Sequence, residues 1–494
     1  MPVAPRLRSG VELPLYLSPR IAPTLRSALN ESALLTQLSD ALGSPLGVIL
    51  PQQLADNVAA FRAVFSDHRL GGQVYYAHKA NRSSALVREL AATDAGIDVA
   101  SLAELQHALG AGFVPQRIMA TGPKNQEFLW LAARTGVTVS ADSVGELVEL
   151  ATLVTEWALP PVRVMTRLSG FISSGVQLSS RRSRFGVSAF AVSQVLDVIE
   201  KHSDALDLVG VAFHLDSIGL PEKTVALEGC LAALDECRRR GLRPWSVDIG
   251  GGFGVNYLAD GAQWEQYTSA LTEAVLGKRA PLTWNGHGYG LRAEAGHIRG
   301  SLNLYPAHRP VSGPAYLDRL LRATAPEQRR PLGTLLLDNM YDLHVEPGRA
   351  LLDQCGVVLA SVLEVRDEAN GDTVVRLDCN ARDVSLEEHG VLMDPVVVHR
   401  TAPAKPGPAG VYLFGNLCLE ADLITRRKVF LPSRPRPGDL LAFVNTAGYL
   451  MDFSATQALR QPVGRKVAMY HDDGAWRWCL DEQYWPVHRR AETA

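Results

Sequence analysis

Four kinds of residue with chemical potential recur in order along this chain, each just after a run that reads as a β-strand. Lys79 stands in Val74-Tyr75-Tyr76-Ala77-His78-Lys79-Ala80-Asn81, and His214 closes Val209-Gly210-Val211-Ala212-Phe213. Gly250-Gly251-Gly252-Phe253-Gly254 follows Ser246 to Ile249, and Glu346-Pro347-Gly348-Arg349 follows Leu343-His344-Val345. An amine at the mouth of a strand can hold an aldehyde as a Schiff base. By itself, though, Lys79 reads first as a solvated loop lysine.

Each of the others also has two readings. Backbone amides of a glycine run can approach an anion closely, or the run is only a tight turn. This one lacks the lysine and spacing of a nucleotide-triphosphate loop and comes too late in the chain for a dinucleotide fingerprint. The Glu346 carboxylate can hold a protonated pyridine nitrogen while Arg349 pairs with a phosphate or a substrate carboxylate, or the two form an internal ion pair. His214 can stack on a planar ring or serve as a hydrogen-bonded core histidine.

What must position these groups is an alternation of short β-branched runs with amphipathic stretches, the pattern of parallel sheets. Strands are expected over Gly47 to Leu50, Val74 to Tyr76, Ile97 to Val99, Arg117 to Ala120, Val137 to Ser140, Val162 to Arg167, Leu208 to His214 and Ser246 to Ile249. Eight such units suit a (β/α)8 barrel, whose catalytic groups gather at the C-terminal ends of the strands. That face collects Lys79, Asp98, Arg167, His214, Gly250 and Glu346. Ser101-Leu102-Ala103-Glu104 and Ser143-Val144-Gly145-Glu146 are capping boxes that open two of the helices.

After about Ala350 the pattern changes to short strands with turn punctuation: Val357 to Val365, Val374 to Cys379, Val411 to Phe414, Leu440 to Val444 and a hairpin over Asp472-Asp473-Gly474. The expected organisation is an N-terminal segment over 1–46 packed on the β domain, a barrel over 47–349 and a C-terminal β-barrel or β-sandwich over 350–494. The stretch from Leu282 to Leu332, rich in Gly, Pro, His and Arg, is long and weakly periodic and reads as a lid, a binding insertion or a disordered loop in the barrel, a functional insertion being favoured only slightly over mere elaboration.

The 49 basic and 52 acidic side chains nearly cancel, so no global field argues for nucleic acid or an anionic membrane. The N-terminus lacks the apolar core of a secretory signal, and no stretch is apolar enough to span a bilayer. A cytoplasmic protein with a small-molecule partner is expected. The six cysteines are scattered without metal-ligand spacing, and Cys230 and Cys237 fit buried helical thiols.

Taken together, Tyr76-Ala77-His78-Lys79-Ala80-Asn81, Asp98-Val99-Ala100-Ser101, Ser183-Arg184-Phe185-Gly186, Phe213-His214-Leu215-Asp216-Ser217, Asp248-Ile249-Gly250-Gly251-Gly252-Phe253 and Glu346-Pro347-Gly348-Arg349 resemble the fold-type III pyridoxal-phosphate decarboxylases, such as ornithine and diaminopimelate decarboxylases. The resemblance implies an alanine racemase-like barrel, pyridoxal 5'-phosphate as cofactor and decarboxylation of an amino acid. Lys79 would form the Schiff base, His214 would stack on the cofactor ring and Glu346 would pair with its nitrogen. Ser217, Gly251, Gly252, Arg349 and Tyr449 would hold the phosphate, with Asp98, Glu104 and Arg167 in support. In Gly415-Asn416-Leu417-Cys418-Leu419-Glu420-Ala421-Asp422, Cys418 would act as an acid in the partner's active site. A head-to-tail homodimer with shared sites follows from that role.

The departures from the family concern the substrate. Relatives usually carry an acid directly after the cysteine, where this chain has Leu419; Asp216 replaces a glycine, and Ala447-Gly448 precedes Tyr449 in place of Gly-Ala. Leu419, Glu420 and Asp422 are the residues expected to face a substrate's distal end, and a simple diamino acid fits them less well. His287, Arg292, His297, Arg299, His308 and Arg309 of the insertion suggest a carboxylate-rich amino-acid conjugate, such as a siderophore or specialised-metabolite intermediate, although ordinary surface charge is the simpler account of most of them. A racemase or epimerase on the same barrel, or a non-catalytic cofactor-binding homologue, is the alternative.

Overall fold

The computed structural model describes residues 14–171, 183–215, 218–401 and 407–486. Eight parallel strands, Gly72–Ala77, Gly96–Val99, Ile118–Ala120, Thr138–Ala141, Val162–Ser169, Leu206–Phe213, Ser246–Asp248 and Asp342–Val345, pair in a closed ring. The ring closes where Thr138–Ala141 meets Val162–Ser169, and where Asp342–Val345 sits between Ser246–Asp248 and Gly72–Ala77. Several strands are buried throughout, as expected where side chains fill the barrel on one face and meet helices on the other.

One expected barrel strand lies elsewhere. Leu46–Ile49, the run read as the first barrel strand, pairs antiparallel with Gly356–Asp367 and parallel with Arg465–Asp472 in the C-terminal sheet. A short apolar run satisfies either sheet, and nothing local distinguishes the two. Its place in the barrel is taken by Asp342–Val345, which carries Glu346 directly to the strand-end face.

Both capping serines accept the amide of the glutamate three residues on, at 3.2 Å for Ser101 and 3.1 Å for Ser143. The glutamates reach back one residue beyond the cap, Glu104 to the Ala100 amide at 2.6 Å and Glu146 to the Asp142 amide at 3.3 Å. Each helix start is thereby tied to the end of the preceding strand.

The C-terminal domain is mostly sheet, with nine strands including Leu46–Ile49. Its hairpin turns through Asp473 and Gly474, both at positive φ, as a two-residue turn between right-twisted strands requires. Helices Pro23–Asn30 and Ser32–Leu42 lie against this domain, with Trp476 Nε1 donating to Ser27 Oγ at 3.2 Å and Asp40 paired with Arg400. The Leu282–Leu332 stretch is ordered: it contains an exposed hairpin, Arg292–Glu294 with His297–Arg299, and a ten-residue helix, Gly313–Arg322. It also joins the two domains, with the Tyr305 amide donating to Gly390 O at 2.8 Å and Tyr289 Oη to Glu387 at 2.6 Å. No described helix is long and apolar enough to cross a membrane.

Candidate active site

Lys79 occupies a single helical turn, His78–Ala80, immediately after Gly72–Ala77. Its neighbours His78 and Ala80 are buried while Lys79 itself is exposed at the strand-end face. The turn is pinned from the C-terminal domain, since the Tyr449 amide donates to Ala80 O at 2.8 Å and Asn81 Nδ2 to Ala447 O at 2.8 Å. His78 Nδ1 lies 3.3 Å from Glu104, which stiffens the turn from the barrel side. Asp98 is the strongest influence on the Lys79 amine, and with Glu346 and Tyr449 it outweighs desolvation and raises the pKa above that of an ordinary lysine.

Three buried carboxylates face this region and differ in what satisfies them. Asp98 is 2% exposed; one oxygen accepts the Thr121 hydroxyl and the other has no partner among the described residues. Burial and the nearby Glu346 charge push it up to about 7. Asp248 accepts the Gly250 amide at 2.7 Å, and burial followed by Glu346 raises it well above the carboxylate range. Burial opposes charge on Glu346 as well, but His214, Lys79 and Arg167 together outweigh it and hold this carboxyl below its usual value. Glu346 is therefore the carboxylate kept ionised, and unequal environments of this kind separate proton holders from proton acceptors.

His214 is close to Glu346, Nδ1 to Oε2 3.4 Å, but burial lowers its pKa and the Gly251 amide points at the same Nδ1 from 3.3 Å. Burial thus disfavours the charged imidazolium, and the neighbouring Glu346 carboxylate partly offsets it. The glycines are required here: Gly250 has φ +62°, and a Cβ on it would lie 2.7 Å from both His214 Nδ1 and Phe213 O. Arg167 lies 3.6 Å from Asp142, and its guanidinium is 5.0 Å from the Phe185 ring centre.

Arg349 has no carboxylate at ion-pair distance among the described residues. Its guanidinium lies 5.2 and 5.6 Å from the Tyr305 and Tyr449 ring centres, and Nη1 donates to Tyr257 Oη at 3.4 Å. Gly348 admits Tyr449, whose hydroxyl would be 2.9 Å from a Cβ at that position. An uncompensated guanidinium with phenols beside a glycine turn fits a phosphate, and Lys79 with an ionised Glu346 fits the aldehyde and ring nitrogen of a pyridoxal. Tyr257 and Tyr305 are the site residues that sequence reasoning missed; Tyr257 lies just after the glycine run, a signal too common to single it out, and Tyr305 lies in the insertion far from any motif. Ser217 lies outside the described residues.

Among the described residues, the Cys418 loop makes no hydrogen bond or ion pair to this cluster. Cys418, Leu419 and Glu420 are all exposed, Leu419 by 57%. Asp422 is buried, and its two oxygens accept the Ala381 and Leu417 amides at 2.8 Å each. Its carboxylate shapes the loop that presents Cys418, Leu419 and Glu420.

Residues 52–298 match the pyridoxal-binding domain of the pyridoxal-dependent decarboxylases. Protein y4yA of Sinorhizobium fredii is 30% identical over 466 residues, 92% of this chain and 94% of that one. Diaminopimelate decarboxylase of Staphylococcus aureus is 23% identical over 427 residues, 84% of this chain and 86% of the relative. In fold, the chain is similar to M. jannaschii diaminopimelate decarboxylase solved with L-lysine, with TM-score 0.67, 18% identity and 90% of each chain covered. It is also similar to the arginine decarboxylase of Paramecium bursaria Chlorella virus, with TM-score 0.63, 18% identity and coverage of 89% and 100%. A barrel mouth built to take pyridoxal phosphate and a match running through both domains lead to one assignment: the chain belongs to the pyridoxal-dependent decarboxylases and is a pyridoxal 5'-phosphate-dependent amino-acid decarboxylase.

Proposed function

We propose that this enzyme decarboxylates a carboxylate-bearing amino-acid conjugate, such as a siderophore or other specialised-metabolite intermediate, rather than a free diamino acid. The observation that carries the reading is Leu419, an exposed apolar side chain where relatives usually present an acid to a distal amine. Of the six basic residues of the insertion named above, Arg292 and Arg299 are turned to Glu294 on an exposed hairpin, so they offer a ligand little. Arg309 differs: Nε and Nη1 are buried without a hydrogen-bond partner, and Nη1 would lie 3.5 Å from a Cβ on Gly254. An orphaned guanidinium beside the glycine loop is the group best suited to a second carboxylate.

Pyridoxal 5'-phosphate, when bound, supplies an electron sink for the pair left by the departing carboxylate. Lys79 Nζ would be the amine that holds the aldehyde, and as a free amine it would be placed to move a proton at the same position. The Glu346 carboxylate would pair with the ring nitrogen and favour its protonated form, and His214 would lie against the ring. Arg349, Tyr449, Ser217 and the Gly252 amide would hold the phosphate, with Gly251, whose own amide faces His214, shaping the same turn, while Asp98, Glu104 and Arg167 would support the Lys79 turn and its surroundings. Cys418, exposed on its loop, delivers a proton to the substrate carbon in the site of a second subunit, which makes the working unit a head-to-tail homodimer.

The test compares carbon dioxide release, as kcat/KM, on lysine, ornithine and diaminopimelate with that on their carboxylated conjugates, using holoenzyme. Conjugates are expected to be favoured; efficient turnover of a free diamino acid would refute the substrate assignment. In the same preparation Lys79→Ala should lose the visible absorbance of covalently held cofactor, and its persistence would show that another amine holds the aldehyde.

A further inference from the structure

Lys223 is a lysine with no place in the chemistry above, yet none of its side chain reaches solvent. It lies in the first turns of Leu220–Arg239, where its ammonium group donates to the backbone carbonyl of Gly251. Two aromatic rings wall it in, Phe253 at 4.7 Å and Tyr316 at 5.8 Å from Nζ to ring centre. Burying a lysine is costly unless the charge is compensated, and a cation facing two π-faces and a carbonyl regains part of that cost.

The carbonyl it holds belongs to the peptide that joins Gly251 to Gly252. In a trans peptide the C=O and the N–H point in opposite directions, so fixing the Gly251 oxygen on Lys223 turns the Gly252 amide hydrogen away from Lys223. No described residue accepts that hydrogen. A cation on the oxygen also polarises the peptide and makes its N–H a stronger donor. The neighbouring peptides are fixed as well: the Gly250 amide donates to Asp248 at 2.7 Å, and the Glu346 amide to Gly250 O at 2.9 Å. Gly250 and Gly252, at φ +62° and +83°, allow the turn these anchors impose. The turn is therefore held in one orientation before any ligand arrives.

We propose that Lys223 is a positioning residue that clamps the glycine turn from behind, presenting the Gly252 amide to the phosphate of the cofactor. It does not touch the cofactor; it acts through one peptide group. Burial lowers the Lys223 pKa to about 7 against the pull of Asp248 and then Glu346, but ammonium and neutral amine both donate, so the clamp holds in either state. This assignment rests on the phosphate-site reading and specifies which part of the molecule Lys223 serves. Its signature is a loss that depends on the phosphate.

Apoenzyme and the variants Lys223→Met and Lys223→Gln are titrated with pyridoxal 5'-phosphate and, separately, with pyridoxal, followed by the absorbance of bound cofactor and by intrinsic fluorescence. Lys223→Met keeps an apolar chain between the two rings and should raise the Kd for pyridoxal phosphate by about 10- to 100-fold, the size of a lost charge-assisted hydrogen bond. Its Kd for pyridoxal should stay within about twofold of wild type. Lys223→Gln, which retains a donor, should fall between Met and wild type. Unchanged binding of the phosphorylated cofactor, or equal losses for both ligands, would overturn the assignment. If thermal melting shows that Lys223→Met is unfolded, the same comparison on Lys223→Gln decides by the same criteria. Failure of wild type to bind pyridoxal phosphate would instead overturn the phosphate-site reading itself.

Discussion

Replacing Gly250 by alanine tests the placement of His214 against the glycine turn. At φ +62° a residue with a side chain sits in left-handed space, at a cost of about 1 kcal/mol relative to glycine. The new methyl group would meet Phe213 O and His214 Nδ1, each at 2.7 Å, closer than carbon normally approaches either. Phe213 cannot yield, because it is paired with Leu168 inside the barrel sheet, so the His214 ring must move. Moving it breaks the bond from the Gly251 amide, worth about 1 kcal/mol, and the crowding adds about 1 to 3 kcal/mol more. Gly250→Ala should therefore lose about 4 kcal/mol, against about 1 kcal/mol for Gly112→Ala, where φ is +96° but no atom lies within 4 Å of the added carbon. Urea unfolding of the two apoenzymes, extrapolated linearly, measures both losses. Equal losses would mean that His214 does not pack on the glycine turn as described.

Two further predictions concern proton traffic and assembly. Subunits carrying Lys79→Ala and Cys418→Ala, each inactive alone, should regain about a quarter of wild-type activity on mixing, because random pairing makes half the dimers hybrids with one intact site of two; no recovery would place Cys418 outside the partner's site. Burial and Glu346 raise Asp98 from 3.8 to about 7, so the folded state binds its proton more tightly than the unfolded chain does. That stabilisation is complete below the unfolded value and is lost as pH climbs through about 7, so the stability of Asp98→Asn apoenzyme relative to wild type should rise from about pH 5 to about pH 8, and a flat difference would refute it.

The strand ends are legible in the sequence because each carries local chemistry: an apolar run, then a glycine, a lysine or a capping serine. Lys79, Asp98, His214, Gly250 and Glu346 all stand where that punctuation places them. The place of Leu46–Ile49 is not legible, because its pairing partners are remote and a four-residue apolar run says nothing about which sheet will receive it. The helix Gly313–Arg322 is hidden in a stretch of glycine, proline and histidine that obscures its period. Lys223 is invisible for a related reason: a lysine early in a helix suggests solvent, and only the packing of Phe253 and Tyr316 over it shows otherwise. Among the insertion's charges, Arg292 and Arg299 face Glu294, which agrees with the simpler reading of them as surface charge.

The strand Leu46–Ile49 also constrains how the molecule is made. Val48 leaves the ribosome early but must wait for Val357 and Val467, one on each side, before its edges are covered. The β domain is consequently discontinuous, with the whole barrel threaded between its first strand and the rest. A barrel fragment cut before Gly356 would expose both edges of an apolar strand, and a β fragment starting there would lack a central one; each is a template for aggregation. Synthesis from the N-terminus therefore leaves this segment uncovered until Arg465–Asp472 has been made, and the turn at Lys79, pinned by Ala447 and Tyr449, is set only once those residues have followed.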